Sequence, residues 1–113
     1  MAKMFQYEDE LIRFNSDGIQ YSPNGGRSWI SRTKCITYCD FIDMLPYGDE
    51  IIAIKPNGVF YSTNGGRTWT TRFSGNKYGD FEDLTDNGDE LLATTSKGLY
   101  YSINKGRTWL RKI

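Results

Sequence analysis

Apolar and polar side chains alternate in short runs along this chain, and glycine, asparagine or proline ends each run before a helical stripe can develop. Alternation of period two with closely spaced turn residues predicts strands joined by tight turns. Phe41 to Leu45 reads as a strand, Pro46-Tyr47-Gly48 as a turn, and Glu50 to Ile54 as the next strand. Lys55-Pro56-Asn57-Gly58 turns the chain again, because proline presets φ and an Asn-Gly pair accepts positive φ. Val59 to Ser62 and Trp69 to Phe73 complete a group of four strands.

The same group occurs three times. At an offset of forty, Asp9-Glu10 aligns with Asp49-Glu50 and Asp89-Glu90, Gly18 with Gly58 and Gly98, and Trp29 with Trp69 and Trp109. A strand-rich period of about forty with a Trp near the end of each unit is the signature of a propeller, each repeat one four-stranded blade. The fold class expected is therefore all-β. One domain of three blades, 1–33, 40–73 and 80–113, reads as half a propeller without linker or tail.

Composition narrows the function classes. In 113 residues there are 14 Lys+Arg and 14 Asp+Glu, interleaved, so the basic footprint that nucleic acid or an anionic membrane requires is missing, and neither is an expected partner. There is no His, which removes the commonest general base and metal ligand. No cofactor or metal is expected. The start Met1-Ala2-Lys3-Met4-Phe5 lacks the apolar run of an export signal, so the chain reads as cytoplasmic or virion-associated rather than secreted. Cys35 and Cys39 are expected as free thiols on that ground, with a short local disulfide, or a metal held between two such loops of a dimer, as the alternatives.

The longest shared block is Ser22-x-Asn24-x-Gly26-x-Ser28-Trp29, repeated as Ser62-x-Asn64-x-Gly66-x-Thr68-Trp69 and Ser102-x-Asn104-x-Gly106-x-Thr108-Trp109. It resembles the Asp-box, or BNR repeat, of sialidase-like β-propellers, with Asn where that family usually carries Asp. The side chains suit a self-contained hairpin lock: Asn and Ser/Thr satisfy loop amides, the glycines supply backbone freedom, and Trp packs under the turn. The resemblance implies that these loops join the third and fourth strands of a blade, on the face opposite the ligand site. Asp-box blades serve glycoside hydrolases, sorting receptors and assembly factors, so the resemblance speaks for fold more than for activity.

Closed propellers have 4 to 8 blades, and three cannot close. A lone arc leaves an apolar blade face open at each end. Six is the blade number of the sialidase-like rings, so the expected partner is a second copy, in a head-to-tail homodimer that closes one six-bladed ring.

Function is sought where repeats depart from one another or where loops reach the implied ligand face. Lys3 stands where Asp43 and Asp83 stand, and Arg13 replaces Ala53 and Ala93, so Lys3, Arg13, Asp43 and Asp83 are candidates for a charged central channel. The loops between blades carry Arg32, Tyr38 and Asp40, then Arg72, Tyr78 and Asp80, groups that suit sugars or carboxylates. The favoured reading is a non-enzymatic module for binding or scaffolding, its glycan or protein ligand on the top face or in the channel. The alternative is a sialidase-like glycoside hydrolase using paired carboxylates such as Asp43 with Asp83.

Overall fold

The computed structural model describes residues 3–15, 18–34 and 41–112. They form twelve strands in three antiparallel sheets of four, each a meander in which every strand pairs with the next. Blade one holds β1 (Lys3–Tyr7), β2 (Glu10–Asn15), β3 (Gly18–Ser22) and β4 (Ile30–Lys34). Blade two holds β5 (Asp43–Tyr47), β6 (Glu50–Lys55), β7 (Gly58–Ser62) and β8 (Thr70–Ser74). Blade three holds β9 (Phe81–Asp86), β10 (Leu91–Thr95), β11 (Gly98–Ser102) and β12 (Leu110–Arg111). The all-β class and the three four-stranded blades read from the sequence are what the chain adopts.

The first strand of blade two begins two residues later than its alternation predicts, and runs through Pro46. The turn falls at Gly48 and Asp49, with Gly48 at φ 65. Phe41, ahead of the strand, packs in the core with its ring 4.8 Å from Trp69 and 5.6 Å from Phe60, while the Ile42 N–H still donates to the Ile54 carbonyl at 2.9 Å. Pro46 is tolerated because β5 is the edge strand of its sheet, where one side of the backbone has no ladder partner.

Successive blades stack with their first strands side by side, β1 against β5 and β5 against β9. Two apolar seams result. Seam one joins Tyr7, Ile12, Phe14 and Ile19 of blade one to Met44, Ile51, Ala53 and Trp69 of blade two. Seam two joins Leu45, Ile52, Ile54 and Val59 of blade two to Leu84, Leu91, Ala93, Tyr100 and Trp109 of blade three. The middle blade is thus buried on both faces: Ile51, Ile52, Ala53 and Ile54 are all 0% exposed, alternate residues facing alternate seams. Each isoleucine so buried stabilises the stack by about 2 kcal/mol.

Candidate functional site

The polar machinery is repeated once per blade at the end of the sheets where the motif loops lie. Its parts are eleven residues apart: Glu10, Tyr21 and Arg32, then Glu50, Tyr61 and Arg72, then Glu90, Tyr101 and Lys112. Arg32 is the extra residue of a β-bulge, since Ile19 pairs with Thr33 and Gln20 with Ser31. Such a bulge re-aims a side chain out of the strand's alternation. The Arg32 guanidinium lies 3.8 Å from the centre of the Tyr21 ring and forks onto the carboxylate, Nη1 donating to Glu10 Oε1 at 2.6 Å and Nη2 to Oε2 at 2.8 Å. Nη1 also donates to the Gly65 carbonyl at 3.0 Å, in the motif loop of the next blade.

Blade two repeats the arrangement. Arg72, again the bulged residue, donates to Glu50 at 2.8 and 2.9 Å and to the Lys105 carbonyl of blade three at 3.0 Å, over the Tyr61 ring. Hydrogen bonding from each arginine holds its glutamate below the ordinary carboxylate range, against burial, and raises the guanidinium above its own. In blade three Lys112 Nζ reaches Glu90 Oε1 at 2.6 Å from a more exposed position.

Each motif loop is closed by its own side chains. Ser62 Oγ accepts the Gly66 N–H at 2.9 Å and donates to Asn64 Oδ1 at 2.8 Å. Asn64 Oδ1 also accepts the Thr68 N–H at 3.0 Å, while Nδ2 donates to Thr68 Oγ1 at 2.7 Å. The same four bonds recur from Ser22, Asn24 and Ser28 and from Ser102, Asn104 and Thr108. Trp69 and Trp109 pass beneath, their indole N–H groups donating to Gly66 and Gly106. In the third loop Lys105, at φ 64, takes the left-handed place that Gly25 and Gly65 hold in the others.

The candidates chosen from sequence scatter. Arg32 and Arg72 turn toward the motif-loop end and hold blades together; they do not join the inter-blade loops on the opposite end, because the bulge aims them away. Asp43 does not line an open channel. It is buried, accepting the Met44 N–H at 2.9 Å and, across seam two, the Leu84 N–H at 2.8 Å. Tyr78 is also buried, its ring 5.1 Å from Phe73 and 5.4 Å from Tyr100. Arg13 lies on the sheet face of blade one, 4.1 Å over the Trp29 ring, with Nε donating to Gln20 at 2.7 Å. Asp80 and Asp83 are exposed. Tyr38, Asp40, Cys35, Cys39 and the side chain of Lys3 lie outside the described residues.

Sequence reasoning passed over Glu10, Glu50, Tyr21 and Tyr61. Their signal was the in-register recurrence of Glu, Tyr and Arg at equal spacing, a pattern that marks a blade-building contact. A cavity of about 240 Å³ opens in seam one between the β1–β2 turn and the motif loop of blade two, lined by Glu8, Asp9, Thr63, Gly65 and Arg67 among others. Glu8 adopts φ 55 there, where the other blades place Gly48 and Gly88. Among the described residues no group of three or more His, Cys, Asp or Glu could hold a metal, and no helix is long and apolar enough to cross a membrane.

No protein-family model matches the sequence, and no curated protein matches it. Among solved structures the chain is similar to an ancestral GH74 enzyme, a β-propeller glycoside hydrolase, with a TM-score of 0.62 and 21% identity. The match covers 99% of this chain and 18% of that one. At that identity the likeness is one of fold, and the fold of the three stacked sheets is propeller-like.

Proposed function

We propose that the protein is a non-enzymatic binding or scaffolding module, a ring assembled from two chains whose open end and channel take a glycan or protein ligand. One observation carries this reading: the strong charged candidates, Arg32, Arg72 and Asp43, are spent on fixed partners, a glutamate of the same blade for each arginine and a backbone group of the next blade for all three. The carboxylates of Glu10, Glu50 and Glu90 are likewise held by cationic neighbours. Asp80 is exposed on the loop between blades two and three at the end opposite the motif loops, and it is the ligand contact this reading takes from among the described residues.

The second reading, a glycoside hydrolase, is favoured only by the fold of the GH74 enzyme. One experiment separates the two: incubation with fluorogenic sialosides and other aryl glycosides across pH 4 to 8, beside an array of the corresponding glycans. Glycan capture without turnover, weakened by Asp80→Ala, supports the binding module. Turnover abolished by Asp83→Asn overturns it.

A further inference from the structure

The two internal seams show what each blade face needs from its neighbour, and the forty-residue period carries those needs onto the two open faces. Blade three presents forward Leu92, Thr94 and Leu99, the counterparts of Ile52, Ile54 and Val59 in seam two. Blade one presents backward Met4, Leu11, Arg13 and Trp29, the counterparts of Met44, Ile51, Ala53 and Trp69 in seam one. Both open faces keep apolar side chains: Met4 is 58% exposed, and Trp29, Leu92 and Leu99 are half-buried.

The differences from the internal seams compensate one another. Ala53 shares its seam with Phe14, and Ala93 shares its seam with Ile54. On the open faces the small residue becomes Arg13 and the large one becomes Thr94, so bulk added to one face is removed from the other. Charge follows the same rule. Asp43 accepts the Leu84 N–H across seam two, and Leu84 pairs in its sheet with Ala93. Asp83 is the next copy of Asp43, exposed and holding the Thr94 N–H at 3.3 Å. The next copy of Leu84 is Met4, which pairs in its sheet with Arg13. An aspartate clamped on Met4 therefore lies beside a guanidinium.

A third contact is half formed. Arg32 and Arg72 each reach a carbonyl in the following motif loop, and an added Cβ on Gly65 would meet Arg32 Nη1 at 2.9 Å. The equivalent carbonyl for Lys112 is that of Gly25, where an added Cβ meets nothing within 4 Å.

From these complementary ends we propose that blade three of one chain docks on blade one of a second copy, with Asp83 on the Met4 N–H and the Arg13 guanidinium, Lys112 on the Gly25 carbonyl, and Arg13 in the space left by Thr94. Two such seams close a six-bladed ring. The proposal rests on the two-chain ring proposed above and specifies how it closes.

The test is solution mass by light scattering after size exclusion, on wild type, Arg13→Glu, Asp83→Lys and the double swap. The expected result is a two-chain mass for wild type, self-association weakened about 100-fold in each single variant, and recovery in the swap. Asp83 is exposed in the single chain, so its variant keeps the test valid where Arg13→Glu fails to fold. A one-chain wild type at micromolar concentration, or a three-chain mass, overturns both ring and seam. A two-chain mass that both single variants leave unchanged overturns this seam alone and leaves the ring standing.

Discussion

Seam one and seam two are built from the same apolar positions but tied by different polar contacts. Each has an isoleucine-rich core, a Trp under a motif loop and an Arg–Glu pair reaching a carbonyl of the next blade. Seam two adds the buried Asp43 clamp on Leu84, and Lys105 approaches Asp49 to 3.9 Å on its rim. Seam one has Lys3 where Asp43 stands, and beside Gly65 it opens into a cavity. The apolar alternation makes blades stack, while the polar ties decide how firmly a given pair holds. Blades two and three should therefore separate later than blades one and two, which native-state hydrogen exchange would resolve as higher protection for the strands of blade three than for those of blade one.

The largest effect belongs to the Arg–Glu tie. Arg72 is 3% exposed and Glu50 10%, so Arg72→Gln leaves a carboxylate nearly buried without its partner and should cost about 3 kcal/mol in urea unfolding. Arg32→Gln should cost less, because Glu10 is 24% exposed and water can take over part of the guanidinium's role. The pH dependence has a definite sign. Glu10 and Glu50 titrate lower in the folded chain than in the unfolded one, so the stability they add is full above the ordinary carboxylate pKa of about 4.3 and is lost as pH falls through the lowered folded values. Stability of the Arg72→Gln variant should fall less steeply with acid than that of wild type. An unchanged acid slope would remove this tie from the account of seam two.

Asp43→Asn follows. An amide has one acceptor oxygen, so its NH2 must face either the Met44 or the Leu84 N–H, and the loss should be about 2 kcal/mol. The same variant should bring the exchange of the Leu84 amide to the level of seam one. If Leu84 stays protected, the clamp does not account for the difference between the seams.

The architecture was legible because each repeat states its own strands and turns, and three copies in register cancel accidents of composition. The motif loops were legible for the same reason: their bonds are local, between residues two to four apart. The partners of Arg32, Arg72 and Asp43 were not, because each arginine joins a glutamate distant along the same blade to a carbonyl of the next blade, and Asp43 reaches an N–H of the next blade. Nothing local in Arg32 distinguishes a ligand-binding arginine from one that bridges Glu10 to Gly65, and only the bulge at β4 decides which end of the sheet it faces. Asp43 and Asp83 share a register position yet differ in burial, because blade three covers the first and no blade of the same chain covers the second.

Gly65→Ala tests the looser seam with a smaller effect. Gly65 has φ 75, a conformation that costs an alanine about 1 kcal/mol, and the new methyl would push Arg32 Nη1 from its 2.9 Å approach. A loss near 1 kcal/mol, with faster exchange confined to blades one and two, fits the backbone and the displaced arginine. A loss spread equally over both seams would mean that they unfold as one unit.

The smallest effect concerns Asn64 of the middle motif loop. Asn64 accepts through Oδ1 from Ser62 Oγ and the Thr68 N–H, and donates through Nδ2 to Thr68 Oγ1. Asn64→Ala loses all three and should cost about 1 kcal/mol. Asn64→Asp keeps the acceptors, and the Thr68 hydroxyl can rotate to donate in its turn, so the stability at neutral pH should stay within about 0.5 kcal/mol of wild type. If Asn64→Asp destabilises as much as Asn64→Ala, then donation from Nδ2 holds the loop, and the three asparagines are a structural requirement of these blades.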